Sequence, residues 1–249
     1  MIHNLTKKLS RRLNLFNNRH NKVFAIGFNK SASCSLHALF GQLGMSSYHG
    51  TKWREIEDIV LLENYQCFSD GIPRDLPKLL KLFPEARYIL NVRELETWIY
   101  SRLSHIERAS GAPTRNPGWD VSIESIQGWI TQRNEYHLRV LSMFTDLSRD
   151  LLVVNFIRNE SAATKIADFI GIRREVERPH ANRDPKNSSP PDNHVELLSQ
   201  AAINLGIPER ELQYDIFCPH LESEKVQVAF PADTGLADTT SHESSIIYC

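Results

Sequence analysis

A short segment near the N-terminus combines one lysine with several small polar side chains. The apolar-leaning residues 23–26 are typical of a short buried strand, and a leucine-rich helix is predicted to follow. The connecting loop contains Asn29, Lys30, Ser31, Ala32, Ser33, Cys34 and Ser35. Backbone amides and the positive end of a helix dipole bind anions at such a junction. The loop therefore predicts an anion site, and a serine-rich helix cap beside an exposed lysine fits the same residues equally well.

The position of Lys30 separates this loop from a nucleoside triphosphate loop. A Walker A loop has the pattern G-x-x-x-x-G-K-[ST], in which the lysine closes the loop before the helix. Counted from Gly27, the second glycine position holds Ala32 and the lysine position holds Ser33, whereas Lys30 lies in mid-loop. We expect a mid-loop lysine to face a group being transferred, or its bridging oxygen, while the following amides and hydroxyls hold an adjoining phosphate.

A second pair of residues could hold another phosphate. Arg93 follows the strongly apolar run 88–92, and Ser101 lies eight residues later in a predicted helix. Arginine supplies a planar fork of donors and serine supplies one hydroxyl, so the two can converge on one phosphate. The alternative makes Arg93 a structural ion-pair partner and Ser101 a solvent-facing helix residue.

These residues require a scaffold in which strands alternate with helices, and the sequence predicts one. Predicted strands lie at residues 23–26, 46–49, 68–70, 88–92 and 151–156. Predicted helices after the first lie at residues 53–64, 76–83, 96–107, 123–144 and 161–170. This alternation indicates a parallel sheet covered on both faces, with ligands beyond the carboxyl ends of the strands.

Composition limits the classes of function. The 249 residues are 41% hydrophobic and 24% charged, with a net charge of −1, so no overall field favours nucleic acid as a partner. The four cysteines are scattered, which indicates a reducing compartment and no metal site. No segment approaches the roughly 20 apolar residues of a membrane span, and the N-terminus lacks the apolar region of a secretory signal. We therefore expect a cytoplasmic protein.

Taken together, the motifs resemble those of sulfotransferases that use 3′-phosphoadenylyl sulfate (PAPS). The segment GFNKSASCSLH is similar to that family's phosphosulfate loop, and VRELETWIYS is similar to its V-R-[DE]-x-x-x-x-x-x-S segment. Segments typical of a smaller branch of the family lie at residues 68–73, 83–90, 151–160 and 178–182. The resemblance extends in order over residues 22–186, so it is far more specific than either motif alone.

The resemblance implies a fold, a donor and roles for the site residues. The implied fold is a three-layer α/β/α sandwich with a central parallel sheet, like that of P-loop NTPases. Residues 29–35 would bind the 5′-phosphosulfate end of PAPS, and Arg93 and Ser101 would bind its 3′-phosphate. The product would be adenosine 3′,5′-bisphosphate (PAP), and no metal is required. The family usually has glycine at Ala32 and threonines at Ser33 and Cys34, so we expect a weakened but not abolished donor site.

Sulfuryl transfer also requires charge stabilisation and a base. Lys30 is our candidate for stabilising the leaving oxygen, and His49 and Asp70, each at a predicted strand end, are the candidate bases for the acceptor. The acceptor would be a hydroxyl, or less readily an amine, on a carbohydrate, a glycolipid or another small molecule. Two alternatives are a non-catalytic protein of this fold that binds PAP, and a P-loop kinase.

The remainder of the chain predicts appendages to one α/β domain. Residues 22–187 form that domain, residues 188–230 a helical extension, and residues 231–249 a disordered tail rich in small and polar side chains. Residues 1–21 form a basic amphipathic segment that either packs on its own domain or contacts an anionic membrane surface. The sequence predicts no oligomeric state.

Overall fold

The computed structural model of the protein describes residues 21–109, 121–181, 189–221 and 246–248. Its strands are β1 Val23–Ala25, β2 Ser47–His49, β3 Cys67–Ser69, β4 Arg87–Asn91, β5 Leu151–Val154 and β6 Ile246–Tyr248. Its α-helices are α1 Ser33–Gln42, α2 Ile59–Asn64, α3 Leu76–Leu82, α4 Leu95–Ala109, α5 Ile123–Asp146, α6 Ala162–Phe169 and α7 Asp192–Asn204. Two 3-10 helices lie at Thr51–Glu55 and Glu209–Gln213.

The strands form one parallel sheet in the order β2-β3-β1-β4-β5-β6. β1 lies between β3 and β4, with Phe24 opposite Phe68 on one side and opposite Tyr88 on the other. From β1 the chain continues toward β2, and from β4 it continues toward β5. The connections that follow these two adjacent strands therefore run toward opposite edges of the sheet. The predicted three-layer α/β/α fold with a central parallel sheet is confirmed.

Residues group into two compact units. The first comprises Met1–Val92, Leu151–Asp184 and Ile247–Cys249, and the second comprises Arg93–Asp150 and Pro185–Ile246. The second unit therefore combines residues 93–150 with the C-terminal region, which the predicted domain boundaries did not do.

In the first unit, alternating residues of each strand cover the two faces of the sheet. Val23 and Ala25 of β1 join an aliphatic core beneath α1 and α6. Phe24, between them, points to the other face and stacks on Phe68 with ring centroids 5.0 Å apart. The aromatic layer on that face is completed by Trp53, Phe83 and Tyr88. Burial of both faces explains why β1 and β5 are entirely apolar.

In the second unit, helices α4, α5 and α7 pack together with the 3-10 helix Glu209–Gln213. Helix α5 begins at a serine cap, because the Ser122 hydroxyl accepts a hydrogen bond from the amide of Ser125 at 3.2 Å. Its buried stripe contains apolar residues and also Arg133, Asn134 and His137. Three polar groups on the buried side of one helix require internal partners.

The observed elements differ from the predicted ones chiefly at two places. The helix predicted at residues 53–64 is divided, because Ile56 adopts a left-handed backbone with φ 59° and α2 begins afresh at the Asp58 cap. The tail predicted to be disordered over residues 231–249 contains strand β6, whose Ile-Ile-Tyr sequence has high β propensity. The N-terminal segment 1–20 lies outside the described residues. Among the described helices, none has the length and apolarity needed to cross a bilayer.

Candidate functional site

The loop between β1 and α1 lies at the carboxyl edge of the sheet, beside the end of β4. Because β1 and β4 direct their connections to opposite sides, this is the topological switch point of the sheet. Open parallel sheets bind ligands at that position. The sequence-predicted anion loop therefore lies at the edge where sheets of this kind bind ligands.

Asn91, the last residue of β4, fixes both ends of this loop. Its side chain is buried, with 1% exposed, and its Oδ1 accepts a hydrogen bond from the amide of Gly27 at 2.9 Å. Its Nδ2 donates to the carbonyl oxygen of Ser31 at 3.0 Å. A Cβ atom added at Gly27 would lie 1.9 Å from the Asn91 carbonyl oxygen, so only glycine permits this approach. The sequence analysis missed Asn91, although one amide side chain in a buried apolar strand was a usable signal.

The loop backbone is turned twice into the left-handed region. Lys30 has φ 68° and Ala32 has φ 66°, conformations that are uncommon for residues other than glycine. Ala32 is also the N-cap of α1 and provides no side-chain cap for its first amides. The expectation that a glycine would suit position 32 better than alanine agrees with this geometry. Such strain clusters at functional sites.

The first turn of α1 brings Cys34 to the histidine at the end of β2. Cys34 Sγ lies 3.2 Å from His49 Nε2, and His49 Nδ1 lies 3.1 Å from Ser69 Oγ. His49 and Ser69 are opposite each other in the β2–β3 register. His37 stacks on His49 with ring centroids 5.5 Å apart, and its pKa is lowered, mainly by burial and further by His49.

Asp70, the second candidate base, follows β3 directly. It is half-buried and has φ 97°, so this strand end is also conformationally unusual. Both ring nitrogens of His49 already lie beside partners, whereas Asp70 extends one residue beyond Ser69.

Ser35, whose predicted contact with the donor stays a prediction, holds a neighbouring segment. The Ser35 hydroxyl is buried and accepts a hydrogen bond from the amide of Ala181 at 3.1 Å. Arg178 fixes the same segment by donating to the carbonyl oxygens of Ile157 at 3.0 Å and Asn159 at 2.9 Å. Ser35 therefore positions the chain around Ala181 beside α1.

In the second unit, Arg93 precedes α4, and its guanidinium is partly buried. Its Nε donates to Thr97 Oγ1 at 3.1 Å, and burial lowers its pKa from the usual range. Thr97 and Ser101 are four residues apart, so they lie on one face of α4. Arg93 therefore contacts the helix one turn before Ser101, and their pairing on a phosphate stays a prediction.

A buried arginine that the sequence analysis missed holds the backbone at Arg93. Arg133 has 2% of its surface exposed, and its Nη2 donates to the carbonyl oxygens of Arg93 at 3.0 Å, Tyr214 at 3.0 Å and Asp215 at 2.6 Å. The amide of Leu95 also donates to the Tyr214 carbonyl oxygen at 3.1 Å. Arg133 thus joins the start of α4 to the segment after the second 3-10 helix. A charged residue within the apolar stripe of α5 was the available signal.

Comparison with known proteins identifies part of this chain. Residues 53–163 match the sequence profile of a sulfotransferase domain. The match covers less than half of the chain and makes this region similar to a sulfotransferase domain. The matched region includes Asp70, Asn91, Arg93 and Ser101, whereas the loop at residues 27–35 precedes it. A search of curated proteins found no significant match.

The described part of the chain contains no group of three or more histidine, cysteine, aspartate or glutamate side chains placed to hold a metal ion. The polar groups that it does bring together are hydrogen-bond donors and proton carriers. The loop offers amides and one lysine, the first turn of α1 offers a thiol, and the strand ends offer an imidazole and a carboxylate. Such a set binds an anion and moves protons beside it.

Substitution of Asn91 tests its hold on the loop. Asn91→Ala should lower the free energy of unfolding by roughly 2–4 kcal/mol, because the buried Gly27 amide and Ser31 carbonyl lose their partner. The exposed Asn204→Ala at the end of α7 is the control and should change stability by less than about 0.5 kcal/mol. Urea unfolding measures both, and equal effects would contradict the role assigned to Asn91.

The strain at Ala32 predicts an unusual stabilising substitution. Ala32→Gly should raise the free energy of unfolding by roughly 0.5–1 kcal/mol, because glycine adopts the left-handed conformation without the Cβ penalty. Ala38→Gly, within α1, should lower it by roughly 1 kcal/mol. Thermal and urea unfolding compare the two variants, and a change of the same sign in both would show that Ala32 is not strained.

Proposed function

We propose that this protein moves a sulfuryl group from PAPS to a hydroxyl acceptor. The observation that carries the proposal is the lysine in mid-loop, in an amide-rich loop clamped at the switch point of the sheet. A triphosphate loop requires its lysine at the end of the loop. From mid-loop, Lys30 would instead contact the bridging oxygen between phosphate and sulfuryl group. The match to a sulfotransferase domain at residues 53–163 supports the same reaction class.

The loop and the start of α1 would hold the 5′-phosphosulfate end of the donor. The amides that follow Ala32 have no side-chain cap, so an anion is a suitable partner for them. Lys30 would stabilise the negative charge that grows on the bridging oxygen as the bond to sulfur breaks. Ser33 and Cys34 would add weaker polar contacts.

Arg93 and Ser101 would hold the 3′-phosphate of PAPS. Burial makes the charged form of Arg93 more costly, and a phosphate beside it would offset that cost. The guanidinium can bind two phosphate oxygens at once, and the Ser101 hydroxyl can bind a third. This assignment predicts that the protein distinguishes PAP from nucleotides that lack a 3′-phosphate.

The acceptor must lose a proton during transfer. His49 and Asp70 are the two candidate bases, and the partners of both His49 nitrogens favour Asp70. The acceptor class that we propose is a carbohydrate, a glycolipid or another small molecule bearing a hydroxyl. We place the reaction in the cytoplasm, where three cysteines that form no disulfide are expected.

A second candidate function is PAP binding without turnover. The left-handed Ala32 and the engagement of Cys34 with His49 favour it, because both weaken the loop as a phosphate site. Formation of a sulfated product across a broad panel of hydroxyl acceptors distinguishes the enzyme from this alternative. Tight PAP binding with no product from any acceptor would favour the binding protein.

Calorimetry with PAP and AMP tests the donor assignment. The unmodified protein should bind PAP markedly more tightly than AMP, and Arg93→Ala should remove on the order of 2–3 kcal/mol of that preference. Arg139→Ala, on the exposed side of α5, is the matched control and should leave the preference unchanged. Equal affinity for PAP and AMP in the unmodified protein would refute the assignment.

A further inference from the structure

Cys34, His49 and Ser69 form a continuous chain of polar contacts in the first unit. The sulfur lies 3.2 Å from His49 Nε2, and the opposite ring nitrogen lies 3.1 Å from the Ser69 hydroxyl. A nucleophile beside a base, with the base oriented by a third group, is the arrangement that activates thiols. In the proposed transfer reaction Cys34 makes no more than a weak phosphate contact. That reaction therefore does not explain why the thiol lies beside His49.

The environment of Cys34 differs from those of the other described cysteines. Cys67 is buried, its thiol lies 3.6 Å from Met45 Sδ, and burial raises its pKa. Cys218 is also buried, which raises its pKa to about 11. Cys34 is only partly buried, so a small reagent can reach it. Of these three, Cys34 is the one whose thiol lies beside an imidazole.

The contacts of His49 define a route for the thiol proton of Cys34. With its hydrogen on Nδ1, the His49 ring donates to Ser69 Oγ and leaves Nε2 to accept the thiol proton of Cys34. Ser69 is fully buried and opposite His49 in the strand register, so the ring is held in this orientation by the sheet. His37 stacks on the same ring, but its own Nδ1 is engaged with Ser47 Oγ at 2.8 Å.

We infer that Cys34 is a reactive thiol at which a small-molecule disulfide, RS–SR, modifies the protein. The Cys34 sulfur attacks one sulfur of the reagent while His49 Nε2 takes the thiol proton. The S–S bond of the reagent breaks, and a new bond joins Cys34 to the attacked sulfur as a mixed disulfide. The departing thiolate takes the proton from His49 and leaves as RSH. Cys34 is oxidised and half of the reagent is reduced, so the exchange needs no other oxidant.

The modification would regulate the loop in which Cys34 lies. Cys34 is the second residue of α1 and follows Ala32 by two positions, so the attached group occupies the helix end that faces the loop. In this respect the inference rests on the proposed function: the adduct should exclude the phosphosulfate end of PAPS, and a reducing thiol should restore binding. The reactivity of Cys34 itself does not depend on that function.

The rate of reaction with 5,5′-dithiobis(2-nitrobenzoate) tests the reactivity. The experiment uses the full-length protein with the substitution Cys249→Ser. Peptide mapping identifies which cysteine carries the adduct. At pH 7 the native protein should react at Cys34 at least about tenfold faster than the same protein in concentrated urea, although the folded chain shields the sulfur. A merely packed thiol reacts more slowly when folded than when unfolded, and that result would overturn the inference.

Two variants test the part played by His49. His49→Gln keeps a polar side chain but cannot take the proton, so the native rate should fall by roughly tenfold. His37→Gln removes the neighbouring imidazole and should leave the rate within about twofold. Equal rates in the unmodified protein and His49→Gln would remove His49 from the reaction.

PAP binding before and after modification separates the two proposals. A protein that binds PAP, loses binding on modification and regains it with dithiothreitol supports the regulatory role. Fast Cys34 modification in a protein that never binds PAP would refute the proposed donor while leaving the reactive thiol established. PAP binding that persists in fully modified protein would overturn the regulatory role.

Discussion

The side chain of Asn91 is the constraint on which the candidate site depends. One amide group binds the Gly27 amide and the Ser31 carbonyl, and so it fixes both ends of the β1–α1 loop from the adjacent strand. A buried amide with both functions satisfied tolerates little movement, because a displaced partner would be left unpaired in an apolar interior. The close approach that these bonds require also explains why residue 27 is glycine.

With its ends fixed, the loop can sustain a strained backbone. Two residues other than glycine, Lys30 and Ala32, occupy the left-handed region, each at a cost of roughly 1–2 kcal/mol. In the second unit, Arg133 fixes the backbone as Asn91 does in the first, since its guanidinium donates to the Arg93 carbonyl oxygen from within the helical core. Lys30 and Arg93, the two cations predicted to bind anions, are thus both half-exposed. In each case a buried polar side chain, Asn91 or Arg133, holds the adjoining backbone in place.

Much of the fold was predictable because each element has a local signature. Strand β4 is a run of apolar residues, and α5 has a sustained helical stripe, so both were found with ends shifted by only one or two positions. The bonding partners of Asn91 and the Cys34–His49 contact were not predictable, since they depend on which strands become neighbours in the order β2-β3-β1-β4. The helix predicted at residues 53–64 failed at Ile56, where a β-branched residue adopts a backbone that its type disfavours. The roles of Lys30 and Arg93 stay predictions.

The central claim is that Lys30 acts on the bond between phosphate and sulfuryl group, and single-turnover kinetics with pre-bound PAPS test it most directly. Lys30→Ala should slow the chemical step by roughly 10²-fold or more while PAP affinity changes little, because PAP lacks the sulfuryl group and the contact strengthens only as charge develops. Lys30→Arg should restore the rate only in part, since the guanidinium fork is wider than the ammonium group. An unchanged chemical step in Lys30→Ala would contradict the account.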